Sequence, residues 1–294
     1  MVDLYKAVNN KILKIFIEDP SSRYSFSDLV RKTTSGPTNV KKAVDGFKER
    51  EILTSTKEGN RVIYRINLSN YVARSIFSLY AWDRVNIFPG KVSKGLQKLI
   101  GKLIVKGVYT VYLFGSATHK SNPNDIDIAV VHPNSREKLE KIWLETVHDF
   151  EEDIEVHFFR EDDFIQLYKE GNFRITSTLK FCLILYDRNF IFDYIRTIPL
   201  PDKTFLLNEI TKFEKKLRTC LLLYKENKSR SKELKEHIYE DFLRIYISSK
   251  KEIPGLKQKL VSNARSLGLA IRKRDLWREL EWMELVIKKI KINI

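Results

Sequence analysis

The run Leu113-Phe114-Gly115-Ser116, followed by Asp125-Ile126-Asp127, constrains this chain more than any other part of it. It reads as an apolar strand, a Gly-Ser turn, a polar loop and a second strand carrying aspartates at i and i+2. Side chains alternate between the faces of a strand, so Asp125 and Asp127 point the same way. Their Cβ atoms then lie roughly 6–7 Å apart, two residues of strand rise. Two carboxylates so spaced can share a pair of magnesium ions about 3.5–4 Å apart. Gly115 lets the backbone approach a ligand closely, and Ser116 adds a hydroxyl at the turn. The flanking runs, 108–114 before the turn and 128–131 after Asp127, are apolar. Two acids in such a strand are costly unless something pairs with them, and a metal ion would.

These residues resemble the nucleotidyltransferase superfamily of polymerase-beta type, whose motif is Gly-Ser, a spacer and Asp-x-Asp. The resemblance spans residues 91–196. It implies a mixed sheet with helices, and metal-dependent transfer of a nucleoside monophosphate from a triphosphate, with ATP the expected substrate and two Mg2+ ions as cofactors. It also implies Asp125 and Asp127 as catalytic residues and ligands of both ions, with Gly115 and Ser116 binding the nucleotide phosphates. A third carboxylate belongs on a later strand. Glu155, in the alternating segment 153–159, takes that place as catalytic residue and metal ligand, with Asp153, two residues earlier on the same face, as its competitor. Glutamate departs from the family's usual aspartate. The spacer 117–124 lacks the Arg-Ala-Arg-Gly run of the minimal, antitoxin-type members. His119 and His157 fall near the site and are given no role, His157 being placed on the face of its strand opposite Glu155.

The charge pattern directs attention to the two ends. The net charge is +15, but residues 71–200 carry 17 basic and 17 acidic side chains. The excess sits in residues 1–70, with 13 basic against 8 acidic, and in residues 201–294, with 23 against 13. A basic excess of this kind favours polyanionic partners such as DNA, RNA or phosphates. The two cysteines, Cys182 and Cys220, each lie in an apolar stretch and read as inert core residues of a protein in a reducing cytoplasm. No secretory leader is visible, and no apolar run approaches the roughly 20 residues of a membrane span.

With 294 residues, 43% of them hydrophobic, the chain has material for two or three packed domains at about 100–200 residues each. The expected class is α+β. Residues 1–70 read as a winged-helix domain, in the order helix (4–17), helix (from Ser25), helix (38–50) and hairpin around Glu58-Gly59-Asn60. The first helix offers Leu4, Val8, Ile12, Ile15 and Phe16 as its apolar stripe. In the DNA-binding mode the third helix enters the major groove. Thr38 and Asn39 are then the base-reading candidates, and Lys41, Lys42, Lys57 and Arg61 the phosphate contacts. Residues 71–90 form a connecting helix, a homodimerisation surface or a spacer between domains. Residues 91–200 form the nucleotidyltransferase domain, and 201–294 a helical domain of four helices near 203–225, 232–248, 254–267 and 274–290. Two functions follow. One is a nucleotidyltransferase acting on an unidentified acceptor and coupled to nucleic acid, DNA through the winged helix or RNA through the basic helical domain. The alternative is a DNA-binding transcriptional regulator whose nucleotidyltransferase fold only binds nucleotide or is inactive.

Overall fold

The structure is a computed structural model. It describes residues 7–120, 123, 125–133, 136–148, 150, 153–254, 259–271 and 275–294. Leu4 of the expected first stripe lies outside them. Helix α1 (Ala7–Glu18) buries Ile12, Leu13, Phe16 and Ile17, while Ile15 is only half-buried. The inward stripe is thus turned one position from the expected one. Strand β1 (Tyr24–Ser25) leads into α2 (Phe26–Thr33), which a reciprocal cap starts. The Ser25 hydroxyl accepts from the Asp28 N–H at 3.2 Å, and the Asp28 carboxylate accepts from the Ser25 N–H at 3.1 Å. Those bonds, with the Ser25 hydroxyl donating as well, hold the Asp28 carboxyl below its usual range. Helix α3 (Pro37–Glu49) has proline at its first position, where no N–H is missed, and buries Val40, Ala43, Val44 and Phe47. Strands β2 (Leu53–Glu58) and β3 (Arg61–Ile66) form a two-residue hairpin, and β3 also pairs β1, so the antiparallel sheet runs β1-β3-β2.

Helix α4 (Tyr71–Val85) is capped by Asn70, whose side chain accepts from the Ala73 N–H at 3.1 Å. Helix α5 (Gly90–Val105) buries Leu96, Leu99, Ile100 and Leu103 at helical spacing. A four-stranded sheet follows. Its strands are β4 (Thr110–Phe114), β5 (Asp125–His132), β6 (Asp153–Arg160) and β7 (Leu183–Asp187), in the order β6-β5-β4-β7. Strand β4 is antiparallel to both neighbours, and β6 is parallel to β5. A parallel pair needs a long crossover, here α6 (Arg136–Val147). Between β6 and β7 the chain forms α7 (Glu161–Lys169) and α8 (Phe173–Leu179). Helix α4 docks on the β7 end of this sheet. The Trp82 indole N–H donates to the Leu185 carbonyl at 3.0 Å, and Phe77 meets the Phe192 ring edge-on at 5.6 Å.

Past β7, Asp187 starts α9 (Ile191–Ile195) by accepting from the N–H groups of Phe190 and Ile191. Burial pushes its carboxyl up from 3.8 to about 6, against the pull of those N–H groups, Thr110 and Arg74. The sign follows from proton counting. Between those two values the folded chain holds a proton that the unfolded chain has released. Asp187 therefore favours folding in acid, and that contribution is lost as pH rises through about 6. At 1.36 kcal/mol per unit the span is about 3 kcal/mol. Denaturant melts from pH 4 to 7 should show wild type losing stability relative to Asp187→Asn across this window. Parallel curves would show that the carboxyl titrates normally.

Two compact units result, one of residues up to Phe164 with Leu179–Ile198, the other of Ile165–Thr178 with Pro199–Ile294. The second unit is helical. Helices α10 (Lys203–Glu226) and α11 (Lys228–Ser249) meet at Asn227, which ends the first and caps the second by accepting from the Arg230 N–H at 3.1 Å. With α12 (Leu260–Ser266) and α13 (Leu276–Asn293) they enclose Phe213, Leu217, Phe242, Leu280, Met283 and Ile287. Of the third expected helix, residues 260–266 are helical, and residues 255–258 of that expectation lie outside the described residues. Phe173 joins this core, its ring edge-on to Phe205 at 5.2 Å. Both cysteines are free and buried, as expected, and burial pushes the Cys182 thiol up to about 12. Among the described residues no helix is long and apolar enough to cross a membrane.

Candidate metal centre

Strand β4 ends at Phe114 because the next residue leaves extended geometry. Gly115 has φ +67°, the left-handed region that glycine enters without a Cβ penalty. The short 3-10 turn Gly115–Thr118 follows, closed by the Thr118 hydroxyl donating to the Gly115 carbonyl at 2.9 Å. A Cβ on Gly115 would overlap the Asp127 carboxylate, so the turn backbone lies directly against that acid. Ser116 is buried and turned inward. Its hydroxyl donates to Asp125 Oδ1 at 2.7 Å and lies 3.2 Å from the Asp125 carbonyl. The hydroxyl expected to hold phosphate is thus engaged in fixing Asp125.

Strand β5 carries its aspartates on one face, with Ile126, Ile128 and Val130 buried on the other. Asp125 is exposed at the strand start and Asp127 half-buried. Register brings the third acid in. Asp127 pairs with Phe114 on β4 and with Glu155 on β6. A parallel neighbour in register puts the two carboxylates on the same face, one strand spacing apart. Asp153 pairs with Asp125 along the backbone, and its side chain lies outside the described residues.

His157 corrects the sequence reading. It is not on the face opposite Glu155; two residues along a strand restores the same face. Its Nε2 lies 3.3 Å from Glu155 Oε1, and its ring packs on Phe114 at 5.2 Å. Asp127, Glu155 and His157 each offer a ligand atom, and these all lie within 4.8 Å of one another. Asp125 is not part of that group. The donor set, two carboxylates and an imidazole nitrogen on one sheet face, is compatible with a divalent metal. The period-2 rule that paired Asp125 with Asp127 was enough to find His157.

The residues expected to meet nucleic acid stand elsewhere. Thr38, Asn39, Lys41 and Lys42 are exposed on α3, and Arg61 is exposed where β3 begins. The four α3 side chains line an open groove of about 870 Å³ beside α1, with Asp45 and Glu49 on the same helix.

No family model and no curated protein matches the sequence. Among solved structures the chain is similar to a nucleotidyltransferase-like protein from Exiguobacterium sibiricum, at 10% identity and a TM-score of 0.33, over 68% of this chain and 74% of that one. A likeness this distant decides nothing about substrate, metal or partner.

Proposed function

We propose that this protein is a metal-dependent nucleotidyltransferase, moving a nucleoside monophosphate from a nucleoside triphosphate such as ATP to an acceptor, with release of pyrophosphate. One observation carries the reading. The Gly115 turn, Asp127 and Glu155 meet on one sheet face, with the ligand atoms of Asp127 and Glu155 within 4.8 Å. In this reading Asp125 and Asp127 would hold both Mg2+ ions, and Glu155 would join them at the ion on the acceptor side. When bound, such ions neutralise triphosphate charge and ease deprotonation of the acceptor hydroxyl. The chain's own residues orient. Ser116 holds the Asp125 carboxylate in place, and the bare backbone at Gly115 lets the Asp127 carboxylate lie against the turn. The test is incubation of the full chain with Mg2+, with Mn2+ and with both, and each labelled triphosphate, with and without RNA and cell extract. Label should move to a macromolecule from one triphosphate. Failure of every triphosphate to donate label would defeat the reading.

We read helices α1–α3 and the β1-β3-β2 sheet as a winged helix and assign this module to DNA. The exposed Lys41, Lys42 and Arg61 supply phosphate contacts, and Thr38 and Asn39 reach base edges. Affinity should then fall with salt at a log–log slope of roughly −0.9 per phosphate contacted. Lys41→Ala and Lys42→Ala should each reduce that slope by about one, whereas Asn39→Ala should alter sequence preference. If deleting residues 1–70 leaves affinity unchanged, while neutralising lysines of α10 and α11 removes it, the polyanion belongs to the helical unit and RNA becomes the partner.

A further inference from the structure

We infer that the acceptor-side metal position is a mixed oxygen–nitrogen site, in which His157 Nε2 joins Asp127 and Glu155 to bind a first-row transition ion in preference to Mg2+; this rests on the metal-dependent reading of the same site. Three observations carry it. First, donors about 2.0–2.2 Å from one ion stand roughly 3.0–3.5 Å apart, and Glu155 Oε1 and His157 Nε2 already stand 3.3 Å apart. Second, the imidazole is held where it is. Its side chain is 27% exposed and packed on Phe114, while Glu155 is 70% exposed. The nitrogen is therefore pre-placed, and the glutamate is free to close the remaining distance to Asp127. Third, Ala129 stands opposite His157 in the register, so the β5 residue paired with it carries only a methyl group.

The chemistry then sets the ion. Mg2+ takes oxygen ligands, sheds water reluctantly and is seldom drawn to nitrogen. An imidazole shifts preference toward first-row transition ions, in the order of their general affinity for nitrogen. A plain Glu155–His157 ion pair is the competing account. At such exposure it adds little to stability. It also gives no role to the Asp127 carboxylate, whose oxygen lies within the same reach.

Mn2+ is the probe, because pulsed EPR detects a nitrogen bound directly to it. The full chain, freed of metal and without nucleotide, is titrated with Mn2+ and with Mg2+. We expect a 14N signal and binding of Mn2+ at least about 10-fold tighter than Mg2+. His157→Gln should lose the 14N signal and weaken Mn2+ binding by about 10-fold or more, since even partners that only support a ligand are worth 10–100-fold. Mg2+ affinity should stay within about twofold. His119→Gln, at the neighbouring turn, should keep the 14N signal. Circular dichroism and His157→Asn guard against loss of packing on Phe114. Absence of the 14N signal, equal Mn2+ and Mg2+ affinity, or unchanged Mn2+ binding in both His157 variants overturns the inference and leaves an oxygen-only transferase site standing. A nitrogen-bound Mn2+ in a chain that transfers no label upholds the inference and defeats the transferase reading.

Discussion

Asp127→Asn is expected to lower nucleotidyl transfer by about three orders of magnitude while leaving the melting temperature within a few degrees. Asparagine keeps the shape and one acceptor oxygen, so β5 should retain its register with Phe114 and Glu155. What it removes is the negative charge shared by both proposed ions. Losing a metal ligand costs several kcal/mol of barrier, and about 4 kcal/mol is a factor of about 10³. Asp125→Asn should cost less. Its amide oxygen can still accept from the Ser116 hydroxyl, which now bonds Asp125 Oδ1 at 2.7 Å, and Asp125 lies outside the close group of donors. Label transfer under saturating triphosphate, with a thermal melt of each variant, reads both. Wild-type transfer by Asp127→Asn would sink the enzymatic reading and favour a nucleic-acid-binding regulator with a silent site.

How much of this the sequence disclosed depends on the range of the interaction. Strand β5 was legible because its polar-apolar alternation is local, and α2 because Ser25 and Asp28 are three residues apart and satisfy each other. The pairing of Asp127 with Glu155 was only an expectation. It depends on the register between two strands joined by α6, and alternation within one strand says nothing of its partner's offset. His157 was legible and misplaced, because its two-residue spacing from Glu155 already put both on one face. The inward turn of Ser116 was not legible. A hydroxyl after a glycine reads the same whether it faces a ligand or a neighbouring carboxylate. Nor was the packing of Phe173 against Phe205, which draws residues 165–178 into the helical unit across a strand and a helix of the other one. Such contacts are set by which apolar surfaces remain open after the sheet has formed.

Gly115→Ala separates backbone strain from damage to the site, because Gly107 supplies a matched control. Both glycines have positive φ, +67° at Gly115 and +76° at Gly107. Alanine at either should cost roughly 1–2 kcal/mol for the left-handed backbone. The surroundings differ. A Cβ at Gly107 meets nothing within 4 Å, whereas at Gly115 it overlaps the Asp127 carboxylate, part of a half-buried side chain in the strand beside it. Relief at Gly115 must come from moving the turn or turning the carboxylate, and either spoils the meeting of Asp127 with Glu155 and His157. Gly107→Ala is therefore expected to lower the melting temperature by a few degrees and leave transfer and metal binding near wild type. Gly115→Ala should lower it further, and cut transfer by at least about 100-fold, since a displacement of about 1 Å at reacting groups costs that much. It should also weaken Mn2+ binding, a readout independent of turnover. Equal transfer by the two variants would show that the carboxylate tolerates the added methyl, and that Gly115 is kept for turn geometry alone.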